Sequence, residues 1–156
     1  MRSQLNLPLV GVIDIGSNSV RLVIYDRLKR VPRPLFNEKA RCGLGQGVQK
    51  TGKLDGEGKK IARKSIARFV YIARQMAVKN LFAIATAAIR DSADGKAFIR
   101  QIEEENGIKI QVISGEREAY LAAQGILASF HQPDGIAADL GGGGVCIFFK
   151  PEAHRD

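Results

Sequence analysis

Two turns in this chain repeat one design. Asp14-Ile15-Gly16-Ser17-Asn18-Ser19 and Asp139-Leu140-Gly141-Gly142-Gly143-Gly144 each follow an apolar run, and each opens on the aspartate that ends that run. A strand that delivers a carboxylate to such a turn and then reverses wraps backbone amides around an anion, leaving the Asp to hold a metal or a water. Either turn alone would be an ordinary hairpin, with Ser17 and Asn18 making local hydrogen bonds. Two of them make a clamp with two jaws, and phosphoryl groups its leading ligand.

The elements around the first turn read as an α/β fold. Leu7 to Ile13 and Val20 to Tyr25 are apolar runs joined by Gly16-Ser17-Asn18-Ser19, a hairpin of buried strands. A third strand is expected from Pro34 to Cys42, ending in Gly43-Leu44-Gly45-Gln46-Gly47. From Asp55 to Val78 the period becomes helical, with Ile61, Ile66, Phe69, Val70, Ala73 and Met76 on one face. Lys59, Lys60, Arg63, Lys64, Arg68 and Arg74 mostly lie elsewhere and read as a solvated face. Leu81 to Ala85 is a crossover strand. A helix capped by Ser92 or Asp94 follows, carries Phe98, Ile99 and Ile102, and ends at Asn106-Gly107. Ile108 to Ile113 is a further strand, and Glu116 to Phe130 a helix with Leu121, Ala122, Ile126 and Leu127 on one side. Three strands and then alternating helices and strands describe a mixed five-stranded sheet covered by helices.

Residues 1–133 thus make one lobe. Gly135 to Asp139 and Val145 to Phe149 open a second copy of the arrangement, so residues 134–156 read as the first hairpin of a further lobe and a polar tail. That hairpin presents an uncovered apolar edge with Ile147, Phe148 and Phe149 consecutive, which favours homo-oligomers or aggregation.

With 24 Lys plus Arg against 16 Asp plus Glu, the net charge is +8, which favours anionic ligands. Polyphosphate, nucleotides and nucleic acid all qualify on charge. A nucleic-acid reader would also show exposed aromatics or a docking helix. Trp is absent here, and Phe69, Tyr71, Phe82, Phe98, Phe148 and Phe149 fall inside apolar runs, where a core role is expected. Cys42 and Cys146 lie far apart without metal spacing, which argues against a disulfide framework or zinc site and for a reducing, cytoplasmic setting. Leu7 to Ile13 is too short for a signal core or a membrane span, so no membrane partner is expected.

Four segments in order, Asp14 to Ser19, Thr86-Ala87-Ala88-Ile89-Arg90, Ser114-Gly115-Glu116-Arg117-Glu118-Ala119 and Asp139 to Gly144, make the chain resemble the exopolyphosphatase and guanosine pentaphosphate phosphohydrolase (Ppx/GppA) family. That family shares the ribonuclease H-like superfold of actin, sugar kinases and heat-shock chaperones. Its two phosphate loops correspond to the two Asp-led turns. The resemblance implies that Gly16, Ser17, Asn18 and Ser19, with Gly141, Gly142 and Gly143, surround substrate phosphate. It also implies that Asp14 and Asp139 hold Mg²⁺, that Arg90 grips phosphate, and that Glu118 is the base that activates water. Otherwise Arg90 would pair with Asp91, and Glu116 and Glu118 would complement a helix dipole. Arg21, on a strand, points either way.

The second loop departs from the family's DxGGGS pattern: Gly144 stands where a Ser is usual and Cys146 where a Glu is usual, and from Gly144 onward the resemblance stops. The implied activity is release of terminal phosphate from inorganic polyphosphate, or of the 5′ phosphate from guanosine pentaphosphate. The alternative is a truncated, catalytically weak module that binds polyanions.

Overall fold

A computed structural model describes residues 8–129 and the backbone of 136–141 and 144–149. Strand β1 (Val10–Ile15) pairs antiparallel with β2 (Ser19–Tyr25), which pairs antiparallel with β3 (Pro34–Arg41). On its other side β1 runs parallel to β4 (Asn80–Ala85), and β4 parallel to β5 (Gln111–Val112). The order β3-β2-β1-β4-β5 is the mixed five-stranded, ribonuclease H-like sheet expected from the sequence.

Alternation along the strands divides the sheet into two faces. Ile13, Ile15, Val20, Leu22, Ile24, Ala83 and Ala85 point into the core, where helix α2 (Gly56–Gln75) lays down Ala62, Ile66, Phe69 and Val70. Asp55 starts α2 by accepting the Gly58 N–H at 2.6 Å, the N-terminal cap that a short acceptor side chain supplies. Helix α4 (Gly95–Asn106) adds Phe98, Ile99 and Ile102 to the same core, and α3 (Ala87–Asp91) links β4 to it. A side chain on Gly95 would run into the Ile89 carbonyl oxygen, so only glycine lets α4 start this close to α3. Helix α1 (Val48–Thr51) is a single turn, and α5 (Gly115–Ser129) lies beside a separate antiparallel pair, β6 (Ile136–Gly141) and β7 (Gly144–Phe149).

Several expectations are corrected. Ile61 is exposed, because α2 rolls so that Ala62 and Ile66 meet the sheet. Phe69 and Phe98 are core, but Tyr71 is 62% exposed and Phe82 52% exposed, the latter on the sheet face that α2 and α4 leave uncovered. No α5 residue is buried. The strand expected over Ile108 to Ile113 pairs only at Gln111 and Val112, since Ile110 and Ile113 turn into the core at either side. The side chains of Ile147, Phe148 and Phe149 lie outside the described residues.

Candidate functional site

Parallel pairing sets the location of the site. Ile15 aligns with Ala85 and Ala85 with Val112, so β1, β4 and β5 finish at one end of the sheet. In open α/β sheets the carboxyl ends of the strands form the crevice in which ligands bind. The β1–β2 turn, the Thr86–Arg90 segment and the start of α5 all leave from that end. They are joined through backbone: Thr86 N–H donates to the Ile15 carbonyl at 3.1 Å and Ile113 N–H to the Ala85 carbonyl at 3.0 Å.

The turn is held from outside. Gly16 N–H closes it on the Ser19 carbonyl at 3.0 Å. The Asn18 carbonyl accepts from Cys42 N–H and Gly43 N–H, both at 3.0 Å, and the Ser17 carbonyl accepts from Gly45 N–H at 2.8 Å. Residues 42–45 therefore take up the turn's carbonyls, while no acceptor for the N–H groups of Ser17 and Asn18 is found among the described residues. Backbone donors on a tight turn, with no acceptor among the described residues, suit an anion. A methyl on Gly45 would stand 3.0 Å from Ser17 Cβ, a tight contact that glycine avoids as the brace comes this close. Sequence reasoning saw the glycines of residues 43–47 without assigning them this role. The free Cys42 beneath the turn is buried, and desolvation pushes its thiol up, which suits a packing residue rather than a nucleophile.

At the same end of the sheet as the turn, Arg90 and Glu118 meet. Arg90 Nη1 donates to the Glu118 carboxylate at 3.4 Å and to the Ile113 carbonyl at 3.2 Å. Its Nε donates to Asp91 at 2.9 Å. Arg90 thus makes the Asp91 pair that a surface charge would make and, in addition, the contact with Glu118. Partial burial pulls its pKa down, but the hydrogen bond and charge of Asp91, and then those of Glu118, outweigh it and leave the guanidinium above its ordinary value. Ser114 Oγ accepts from Arg117 N–H at 3.2 Å and the Ser114 carbonyl from Glu118 N–H at 2.9 Å, which fixes the first turn of α5 under the Glu118 carboxylate. Glu116 is exposed in the same turn.

Asp14 is exposed at the last outward position of β1, across from Arg21, whose Nε donates to Asn37 at 2.9 Å. Both stand on the face away from the core. Glu38 is on the other face and pairs with Arg68 of α2, which keeps it out of the site. Asp139 lies in β6 in register with Cys146 of β7, and Gly141 with Gly144; Gly142 and Gly143 lie outside the described residues. No group of three or more His, Cys, Asp or Glu is found among the described residues. No described helix is long and apolar enough to cross a membrane.

Residues 12–150 match the model of the Ppx/GppA phosphatase family, and so run past Gly144, where the sequence alone showed the resemblance stopping. "Exopolyphosphatase 1" of Mycobacterium tuberculosis is 29% identical over 139 residues, 87% of this chain and 40% of that protein. Among solved structures, an exopolyphosphatase from Cytophaga hutchinsonii superposes with a TM-score of 0.81 at 34% identity, covering 88% of this chain and 45% of that one. The Aquifex aeolicus member of the Ppx/GppA family superposes at 0.71 with 29% identity, covering 84% and 42%. The chain spans less than half the length of these relatives.

Proposed function

Because the chain belongs to the Ppx/GppA phosphatase family, we propose that it is the phosphate-binding lobe of a phosphohydrolase that removes terminal phosphate from inorganic polyphosphate or the 5′ phosphate from guanosine pentaphosphate. The observation that carries this reading is the contact of Arg90 with Glu118 at the strand ends from which the β1–β2 turn also leaves. In it, the amides of Gly16 to Ser19 seat the terminal phosphoryl group and Arg90 supplies the guanidinium fork that fits phosphate oxygens. Glu118 orients a water for attack on phosphorus and takes its proton, a role worth about 10² to 10⁴-fold in rate. Asp14 and Asp139 would hold Mg²⁺, which neutralises charge on the phosphate oxygens when bound. Gly141, Gly142 and Gly143 close the second jaw, with residues 1–133 as one lobe and 134–156 as the opening hairpin of another.

A second reading is favoured by the second jaw itself. Phosphoryl transfer is mostly positioning and charge stabilisation between two walls, and here Gly144 and Cys146 replace the family's Ser and Glu. In this reading the chain binds polyanions through the turn and Arg90 with little turnover. Phosphate release from polyphosphate separates the two: release that vanishes in Glu118→Gln supports the hydrolase, and salt-sensitive binding without release supports the module.

A further inference from the structure

The cations of this chain are not equally available. On α2, Lys59 pairs with Asp94, Lys60 with Glu57, Arg63 with Glu105 and Arg68 with Glu38, so most of the helix's positive face is locally neutralised. Lys39 and Arg41 of β3 are exposed and make no ion pair or side-chain hydrogen bond among the described residues. Their place in the sheet is specific. Lys39 is the cross-strand partner of Arg21 and Arg41 that of Ser19, which puts both on the face that carries Asp14. Arg41 also directly precedes Cys42, whose N–H holds the Asn18 carbonyl of the turn.

We propose that Lys39 and Arg41 form a second anion subsite beside the β1–β2 turn, which holds phosphoryl groups of an oligophosphate chain beyond the one seated in the turn. The inference rests on the reading of the turn as a phosphate site. Neighbouring strands lie about 4.8 Å apart and same-face residues of one strand about 6.7 Å apart, so a linear chain of phosphates leaving Ser19 passes within reach of both side chains. Because no carboxylate among the described residues pairs with them, no such ion pair has to be broken when they bind it. A ligand with a single phosphate does not reach them.

Titration calorimetry with long-chain polyphosphate, tripolyphosphate and orthophosphate at several salt concentrations tests this. Lys39→Gln/Arg41→Gln should weaken long-chain polyphosphate by about tenfold, leave orthophosphate unchanged, and flatten the log–log salt dependence by roughly 1.4. The reference is Arg30→Gln/Lys79→Gln, which removes the same charge at the opposite end of the sheet. Equal losses in the two double variants would reduce the effect to bulk charge and overturn the proposal. So would wild-type protein that binds long polyphosphate no better than orthophosphate, or a single-stranded oligonucleotide bound with the same dependence on Lys39 and Arg41. Binding that depends on these two residues in a chain that releases no phosphate would uphold the subsite while removing the hydrolase reading.

Discussion

Arg90 and Glu118 are 28 residues apart in sequence and in contact at 3.4 Å, and the contact exists because β4 and β5 end together. Arg90→Lys should weaken phosphate binding more than it alters the fold. An ammonium keeps the charge but cannot reach Asp91, Ile113 and Glu118 at once as the guanidinium does. A loss of about tenfold in phosphate or polyphosphate affinity, with an unchanged melting temperature, is expected from titration and thermal unfolding of the variant.

Gly45→Ala addresses the brace. Its methyl would press on Ser17 Cβ at 3.0 Å and push residues 42–45 off the turn, loosening the hydrogen bonds to the Ser17 and Asn18 carbonyls. Overpacking of this sort costs about 1 to 3 kcal/mol. The variant should fold, with reduced stability in denaturant, and bind phosphate more weakly than Gly52→Ala corrected for the same stability loss. Gly52 has no heavy atom near its missing methyl, so its replacement strains only the backbone.

How much of this was legible in the sequence varies with the range of the interaction. The hairpin, α2 and β4 follow from local pattern, and the strand order from one antiparallel pair followed by crossovers. Helix α3 was hidden because Ala87, Ala88 and Ile89 are all buried, which leaves no polar face to mark a period. Asp94 sits where a helix cap was expected, but its carboxylate is taken by Leu54 N–H and Lys59, and tertiary partners outcompeted the local bond. The brace was invisible for a related reason: glycines announce close approach without saying which backbone approaches. Of the candidate site, motifs supplied the residues, and only the register showed that Arg90, Glu118 and the turn leave from one end of the sheet.

Asp94 should govern part of the acid stability. Burial raises its pKa, but the hydrogen bond from Lys59, the Leu54 N–H and the Lys59 charge outweigh this and hold it below the ordinary carboxylate value of 3.8. A depressed folded-state pKa means that the stabilisation is fully present above that ordinary value and is lost as pH falls through the lower, folded one. Asp94→Asn should therefore lower stability by about 1 to 3 kcal/mol at neutral pH. Its stability curve should converge with that of the wild type as pH falls through that lowered, folded-state value. Denaturant melts from pH 7 down to pH 2 would reveal it, and parallel curves across that range would show that the Lys59 pair contributes nothing.

The departure in the second jaw makes its own prediction. Asp139 of β6 is in register with residue 146 of β7, so the two positions are cross-strand neighbours in the hairpin. A cysteine there offers Mg²⁺ a soft ligand, which a hard cation accepts poorly. Cys146→Glu would place a second carboxylate at the position across from Asp139, the residue that the resemblance implies there. Two adjacent carboxylates repel when no cation is present, so the variant should be slightly less stable than the parent in chelator. Addition of millimolar Mg²⁺ should reverse the order, raising its melting temperature while leaving that of Asp139→Asn/Cys146→Glu unmoved. Thermal unfolding with and without Mg²⁺ measures this directly. If Mg²⁺ shifts the double variant as much as the single one, Asp139 is not a ligand and the metal must be held elsewhere.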